Sequence, residues 1–367
     1  ATKKEIRLGA IVRSDRGGLG IQTKELYDHM KPAKTMVVDI GMYNGMQQNP
    51  DWYPDGIFIH GMPTDDDLRS FLEGLDVVFT AESPYNPNLY DIARQMGVKT
   101  VNQYNYEFCT WCEPGHEHEP IPDMLIAPST WNYRKMDEMC EKRGVKHVQL
   151  GCPVNRDRIP YIQREAFRTF LHQAGKSAAY DRNGTEIVIE ASKYLETDAK
   201  IVIKFQGEQG LGHQATRSVQ EYKELVKQKG NPDKIEFICE DTERYEDVYK
   251  LGDVLVLPRR YGGNCLPMNE ALASGMPVIM PDISPNQTLP KMWLVPAKHE
   301  GQIKTRIMID TYSVDPRDLA KKIDEMYLMD EMDVILNTNI ADHWARLHSW
   351  TFMKPLYEKA LCNLLSR

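Results

Sequence analysis

Short runs of β-branched and other apolar residues alternate with segments of helical periodicity along the whole chain, and this alternation restricts the fold more than any other feature. Ile6–Val12, Thr35–Ile40, Gly56–Ile59, Asp76–Thr80, Lys99–Asn102, Met124–Ala127 and Val145–Leu150 read as strands. Between them lie patterns such as Leu89, Ile92, Ala93 and Met96, which share one helical face. Strands too apolar to face water on one side, each followed by a helix, predict a parallel sheet covered on both faces.

A second series of the same kind begins near Ala166. Its strands are Phe170–Ala174, Ile201–Phe205, Ile235–Cys239, Val254–Leu257 and Pro277–Met280. Ile187–Ala191–Tyr194–Leu195, Val219–Tyr222–Val226 and Leu319–Ile323–Met326 supply helical stripes between and after them. At 367 residues the chain is long for one hydrophobic core, so two domains are expected. Gly151–Tyr161, with Gly151, Pro153, Pro160 and several charges, reads as the linker. The expectation is two Rossmann-like domains, 1–155 and 165–347, with a cleft between them. A final amphipathic helix over 348–367 carries Leu356, Ala360 and Leu364 on one face. Ligands of such sheets bind beyond the carboxyl ends of the strands.

Composition narrows the function classes. Hydrophobic residues make up 41% and charged residues 27%, as in a globular protein, and no apolar run reaches the roughly 20 residues needed to span a bilayer. The net charge of −8 argues against a large nucleic-acid footprint, whose affinity comes from neutralising phosphates. Seven scattered cysteines, an odd number, fit reduced thiols. With the polar, charged start Ala1–Ile6, they suggest a cytoplasmic protein.

The most informative window is Val254–Asp282, VLVLPRRYGGNCLPMNEALASGMPVIMPD. It reads as strand, glycine-containing loop, helix from near Met268 to Gly275, then strand. Amides of the loop and of the helix start can converge on a phosphate, helped by the helix dipole, and glycine permits close approach. Glu270, one turn into the helix, is placed to accept hydrogen bonds from a ribose diol. An ordinary crossover with a tight turn is the plainer alternative.

The window resembles the donor-site signature of retaining GT-B glycosyltransferases, the family-four group. Pro258, Gly263, Leu266, Pro267, Glu270, Ala271, Ala273, Gly275, Pro277 and Val278 fall in register with that consensus. The resemblance implies a nucleotide-sugar donor, such as a UDP- or GDP-sugar. Its diphosphate would lie on the amides of Gly263, Asn264, Cys265 and Leu266, and its ribose on Glu270. It also implies the GT-B fold, two Rossmann-like doubly wound domains facing a central cleft, with the last helix crossing back to the first domain. Retention of anomeric configuration, hexosyl transfer and no catalytic metal belong to the same inference. One position departs: the family's second glutamate, which contacts the donor sugar, is Gly262 here.

Three further segments carry the resemblance. Phe170–Gly184 resembles the family's strand and loop with two diphosphate-clamping cations, which here would be Lys176 and Arg182. Arg13–Leu26 resembles the glycine-rich first loop, in which Gly17, Gly18 and Gly20 would let the backbone approach donor or acceptor. Ser349–Trp350 resembles the Ser-Trp that opens the terminal helix. On the acceptor side Glu82, with Ser83 and Tyr85 beside it, follows a strand and is a candidate acceptor-orienting group or base. Cys109, Cys112, His116 and His118 offer four ligands suited to a structural zinc, or a cleft loop whose histidines meet a substrate. Asp65–Asp66–Asp67 reads as a negatively charged helix start rather than a metal motif. The acceptor stays open among small molecules, glycans, proteins and modified nucleobases. Two other readings also remain: a nucleotide-sugar epimerase, and a catalytically silent nucleotide-sugar-binding protein.

Overall fold

The computed structural model describes residues 5–175, 181–206 and 217–366. The chain divides into two compact units. The first comprises Ala1–Pro153, Thr305–Ile307 and Trp350–Arg367; the second comprises Val154–Lys304 and Met308–Ser349.

The first unit is built on seven parallel strands: β1 (Leu8–Val12), β2 (Lys34–Asp39), β3 (Ile57–His60), β4 (Val77–Ala81), β5 (Lys99–Gln103), β6 (Met124–Ala127) and β7 (Lys146–Gln149). Their order is β3-β2-β1-β4-β5-β6-β7. Strands β1 and β4 are buried at every residue, which is why their sequences are continuous apolar runs and not alternating ones. The helices are α1 (Gly18–Met30), the short α2 (Gly41–Asn44), α3 (Asp65–Leu72), α4 (Leu89–Gln95) and α5 (Tyr133–Arg143). The acidic triplet opens α3. Thr64 caps it, its hydroxyl accepting from Asp67 N at 3.1 Å while Asp67 Oδ2 accepts from Thr64 N at 2.9 Å.

The second unit carries a six-stranded parallel sheet: β8 (Thr169–Gly175), β9 (Lys200–Phe205), β10 (Ile235–Ile238), β11 (Val254–Val256), β12 (Val278–Pro281) and β13 (Leu294–Val295), in the order β10-β9-β8-β11-β12-β13. An antiparallel ribbon, β14 (Ala297–Lys304) with β15 (Met308–Val314), stands apart from that sheet. Helices α6 (Thr185–Ser192), α7 (Val219–Lys229), α8 (Leu266–Ala273), α9 (Pro316–Tyr327) and α10 (Glu331–Leu347) complete the unit. Asp315 caps α9, Pro316 occupies its first position, and Leu319, Ile323 and Met326 form its buried stripe. The last helix, α11 (Trp350–Leu365), belongs to the first unit, where Trp350, Met353, Tyr357, Leu361 and Leu364 join the core around β1 and β4. Among the described residues no helix is long and apolar enough to cross a membrane.

Candidate functional site

In both sheets the strand order reverses at one place, between β1 and β4 in the first and between β8 and β11 in the second. At such a point the loops leaving two neighbouring strands run apart and leave a crevice at their carboxyl ends. In the second unit those loops are the one ending at Gly184 and the one from Leu257 to Cys265.

Arg259 organises the second of these loops. Its side chain is buried, at 4% exposure. Nη2 donates to Gly263 O at 2.7 Å and Gly262 O at 3.2 Å, and Nη1 reaches Asn264 O at 3.5 Å. A trans peptide points its N–H opposite to its C=O. Three carbonyls turned toward Arg259 therefore turn the amides of Gly263, Asn264 and Cys265 the other way. Among the described residues these amides, and that of Leu266, have no protein acceptor. Helix α8 starts there, with Cys265 at the cap position and no side-chain cap bond, so the positive end of its dipole adds to the row. Backbone N–H groups presented in this way bind anions.

Gly262 sits at φ +146°, and a Cβ added to it would meet Arg259 Nη1 at 2.6 Å, Arg259 Cζ at 3.1 Å and Arg182 Nη2 at 3.3 Å. In this backbone conformation any side chain at 262 is strained, and its first carbon already crowds the Arg259 guanidinium.

The neighbouring loop is locked against the first. Arg260 N donates to Arg182 O at 2.7 Å, and a Cβ on Gly184 (φ +74°) would lie 2.3 Å from Pro258 O. The Arg182 guanidinium lies over the Tyr261 ring, 5.0 Å from its centroid. Beneath them His172, fully buried and pushed down to about 4 by burial, is neutral. It must donate from Nδ1 to Val256 O, so Nε2 accepts from Thr185 Oγ1, both at 2.8 Å. Lys176, the other candidate cation, lies outside the described residues.

Asp181, beside Arg182, accepts from Glu186 N at 3.2 Å. Burial, reinforced by the Glu186 carboxylate and opposed by Arg260, pushes its carboxyl up to about 7 from 3.8. The folded chain thus holds this proton more tightly than the unfolded chain. Stability from that proton is complete below about pH 4 and is lost as pH rises to about 7, at about 1.4 kcal/mol per pH unit, or on the order of 4 kcal/mol in all. Asp181→Asn should melt with the wild type near pH 4 and above it at pH 7.5. Thermal unfolding across that range checks this, and a gap independent of pH would contradict it.

Glu270 is fully buried. Its Oε2 accepts from Arg158 Nη2 at 2.8 Å, and its Oε1 from Tyr245 Oη at 2.7 Å and Tyr249 Oη at 3.0 Å. Burial raises its pKa, while Arg158 and the two hydroxyls act in the opposite direction. Arg158 comes from the stretch read as a linker, and its guanidinium lies 5.0 Å from the Tyr245 ring centroid. Arg164, also buried, fixes the tyrosine segment to the end of α8 by donating to Tyr249 O at 3.0 Å and Ser274 O at 2.7 Å. Arg158, Tyr245, Tyr249 and Arg259 were not recognised from the sequence; the pair Arg259–Arg260 at a strand end was the one local signal.

In the first unit the loop after β1 wraps a fully buried Asp15. Its carboxylate accepts from Gly17 N at 2.9 Å and from Arg13 Nη2 at 2.8 Å. A Cβ on Gly17 would lie 2.8 Å from Asp15 Oδ1, and one on Gly20 1.9 Å from Asp15 O, so those two glycines serve packing. Gly18 faces open space. After β4, Glu82 and Tyr85 both hold φ +60°, a strained conformation for such side chains.

The structure does not bring the four residues of the zinc reading together as ligands. Cys109 is buried with its thiol toward Asn105 O, Cys112 Sγ lies 3.5 Å from Met136 Sδ, and His116 pairs with Glu119. Among the described residues no group of three or more His, Cys, Asp or Glu is arranged to hold a metal ion.

Residues 177–343 match the family described as glycosyl transferases group 1. Among curated proteins no sequence matches this one. Solved structures with similar folds include a glycosyltransferase from Rickettsia africae ESF-5, at TM-score 0.70 and 13% identity over 100% of both chains. HepE of Anabaena, solved with UDP and glucose, gives TM-score 0.68 and 10% identity over 98% of this chain and 100% of that one. Sucrose-phosphate synthase of Thermosynechococcus elongatus gives 0.65 and 15% over 98% and 100%. At such identities the likeness establishes the fold: two Rossmann-like domains of the GT-B kind.

Proposed function

We propose, for a chain that carries a glycosyl transferases group 1 domain, that it transfers a sugar from a nucleotide-sugar donor to a hydroxyl acceptor. The observation that carries this reading is the row of amides from Gly263 to Leu266, held open by Arg259 at the start of α8 and at a sheet switch point. The donor diphosphate lies on that row, with Lys176 and Arg182 as its cations, and the ribose diol is assigned to Glu270, which it reaches by displacing the Arg158 or tyrosine donors that cover the carboxylate. Transfer leaves a nucleoside diphosphate, so cations and fixed N–H dipoles act where negative charge develops as the glycosidic bond breaks. Gly18 is assigned the backbone contact to the donor, while the Gly17 N–H and carbonyl are taken up by Asp15 and Ile21, and Glu82 orients the acceptor hydroxyl or accepts its proton. Hexosyl transfer with retention, without a catalytic metal and in the cytoplasm, completes the reading. HepE was solved with UDP, which makes uracil the first base to try.

Gly262 and its two bordering guanidiniums favour one second reading, a protein that binds nucleotide sugar without turning it over. Calorimetric titration with UDP, GDP and ADP, followed by nucleotide release from the sugar of the best binder, separates the two. Micromolar binding of one nucleotide with release supports the transferase, and binding with no release supports the silent protein. No binding by any nucleotide overturns both.

A further inference from the structure

We propose that Arg158 and the nucleoside of the donor compete for the same two partners, Glu270 and Tyr245. The nucleoside displaces the guanidinium, its ribose diol taking the place on Glu270 and its base the place on the Tyr245 ring. The inference rests on the donor reading above. Arg158 fills both positions at once. Nη2 donates to Glu270 Oε2 at 2.8 Å, the bond a ribose hydroxyl would make, and the guanidinium lies 5.0 Å from the Tyr245 ring centroid. A planar cation over an aromatic ring covers the kind of face on which a nucleobase stacks. Tyr245 is half-buried, and its hydroxyl donates to the other Glu270 oxygen at 2.7 Å. Its ring is therefore one hydrogen bond from the carboxylate assigned to the ribose, and the base is joined directly to that ribose.

Of the donors that cover Glu270, Arg158 is the one able to yield. The two tyrosine hydroxyls share Oε1, and Oε2 faces Arg158. Tyr249 is buried, and its carbonyl is held by Arg164 at 3.0 Å. The Arg158 side chain keeps 23% of its surface exposed, while that of Glu270 keeps none. Arg158 also lies between β7 and β8, outside any helix or strand, in a turn where its N–H donates to Asn155 Oδ1 at 3.2 Å. Its long side chain can swing into water, where a guanidinium is well solvated. The buried carboxylate has no such outlet, so Glu270 exchanges one donor for another and does not stand bare. The exchange weakens nucleotide binding, because only molecules in which Arg158 has let go are competent. Pyrophosphate, which needs only the amide row and the cations, is exempt.

The test titrates pyrophosphate and UDP, or GDP if that is the nucleotide that binds, into the full chain and into Arg158→Ala. The variant should bind the nucleotide at least about fivefold more tightly than the wild type, with pyrophosphate unchanged within about twofold. Any result without a gain specific to the nucleotide overturns the inference, and leaves the donor reading intact where the nucleotide still binds. Tyr245→Phe and Tyr245→Leu separate the ring from its hydroxyl. The leucine variant should bind the nucleotide about tenfold more weakly than the phenylalanine variant, the loss expected for one stacked base. Equal binding by the two overturns the place given to the base. A crystal structure of the wild-type chain with the nucleotide keeps the test valid even if the variants do not fold. A ribose hydroxyl on Glu270 Oε2 with Arg158 withdrawn supports the inference, and Arg158 still bonded to Oε2 overturns it. Failure of every nucleotide to bind the wild type and Arg158→Ala alike overturns the donor reading, and this inference with it.

Discussion

Glu270→Ala should weaken nucleotide binding about ten- to a hundredfold and also lower the melting temperature. Both effects follow from the same burial. The carboxylate is inaccessible to water and holds one guanidinium and two tyrosine hydroxyls. Removing it takes from Arg158 the carboxylate that its guanidinium faces; breaking one side of a fully buried pair costs about 3–5 kcal/mol, and the partial exposure of Arg158 makes the cost smaller here. It also deletes the assigned ribose contact, and a hydrogen bond to a charged group contributes about 1.5–3 kcal/mol. The two losses are separated by titrating pyrophosphate beside UDP. Pyrophosphate needs only the amide row and the cations, so its affinity should change severalfold at most while that of UDP collapses. Equal losses for both ligands would mean that the loop has been disordered and that Glu270 supports structure alone. Glu270→Gln gives the intermediate case, since the amide oxygen can still accept from the tyrosines while the charge facing Arg158 is gone.

The sequence announced the two parallel sheets because their central strands are buried on both faces and cannot avoid being apolar. β4 and β11 could be read for that reason. The ribbon β14–β15 could not. In β14, Lys298, Glu300, Gln302 and Lys304 leave no apolar run to read, and in β15 the buried Ile309, Thr311 and Val314 are too few and too mixed with polar residues to stand out. Helix α10 was also missed, because the reading passed from the α9 stripe directly to the terminal segment, although Asp330 caps α10 by accepting from Asp333 N at 2.9 Å. The candidate site divides along the same physical line. Gly263–Leu266 and Glu270 lie in one stretch of strand, loop and helix, where spacing alone carries the chemistry. Arg158 is 112 residues from Glu270, and Tyr245 and Tyr249 are 25 and 21 away, so the fold alone joins them. The cysteine and histidine cluster failed in the opposite way. Proximity in sequence suggested a tetrahedral centre, and among the described residues the fold gathers no three such ligands at one point.

Arg259→Met should abolish nucleotide binding to at least the same degree as Glu270→Ala, though Arg259 has no assigned ligand contact. Methionine fills much of the same volume and removes every donor. The carbonyls of Gly262, Gly263 and Asn264 would then lose their partner in a buried place, at about 1–3 kcal/mol for each oxygen left unsatisfied. The loop relieves that cost by rotating its peptides toward water. Each rotation carries an N–H with it, so the amide row turns away from the anion. The loss should therefore be as large for pyrophosphate as for UDP, unlike the pattern for Glu270→Ala. Arg259→Lys should recover part of it, since an ammonium keeps the charge but lacks the planar fork that spans several carbonyls. Hydrogen exchange of the Gly263, Asn264 and Cys265 amides reports the rotation directly. In the wild type, added nucleotide should slow their exchange, and in Arg259→Met it should not. A folded Arg259→Met protein that binds UDP normally would show that the row keeps its shape without the guanidinium, and the anion site would then have to be attributed to the helix start and Arg182.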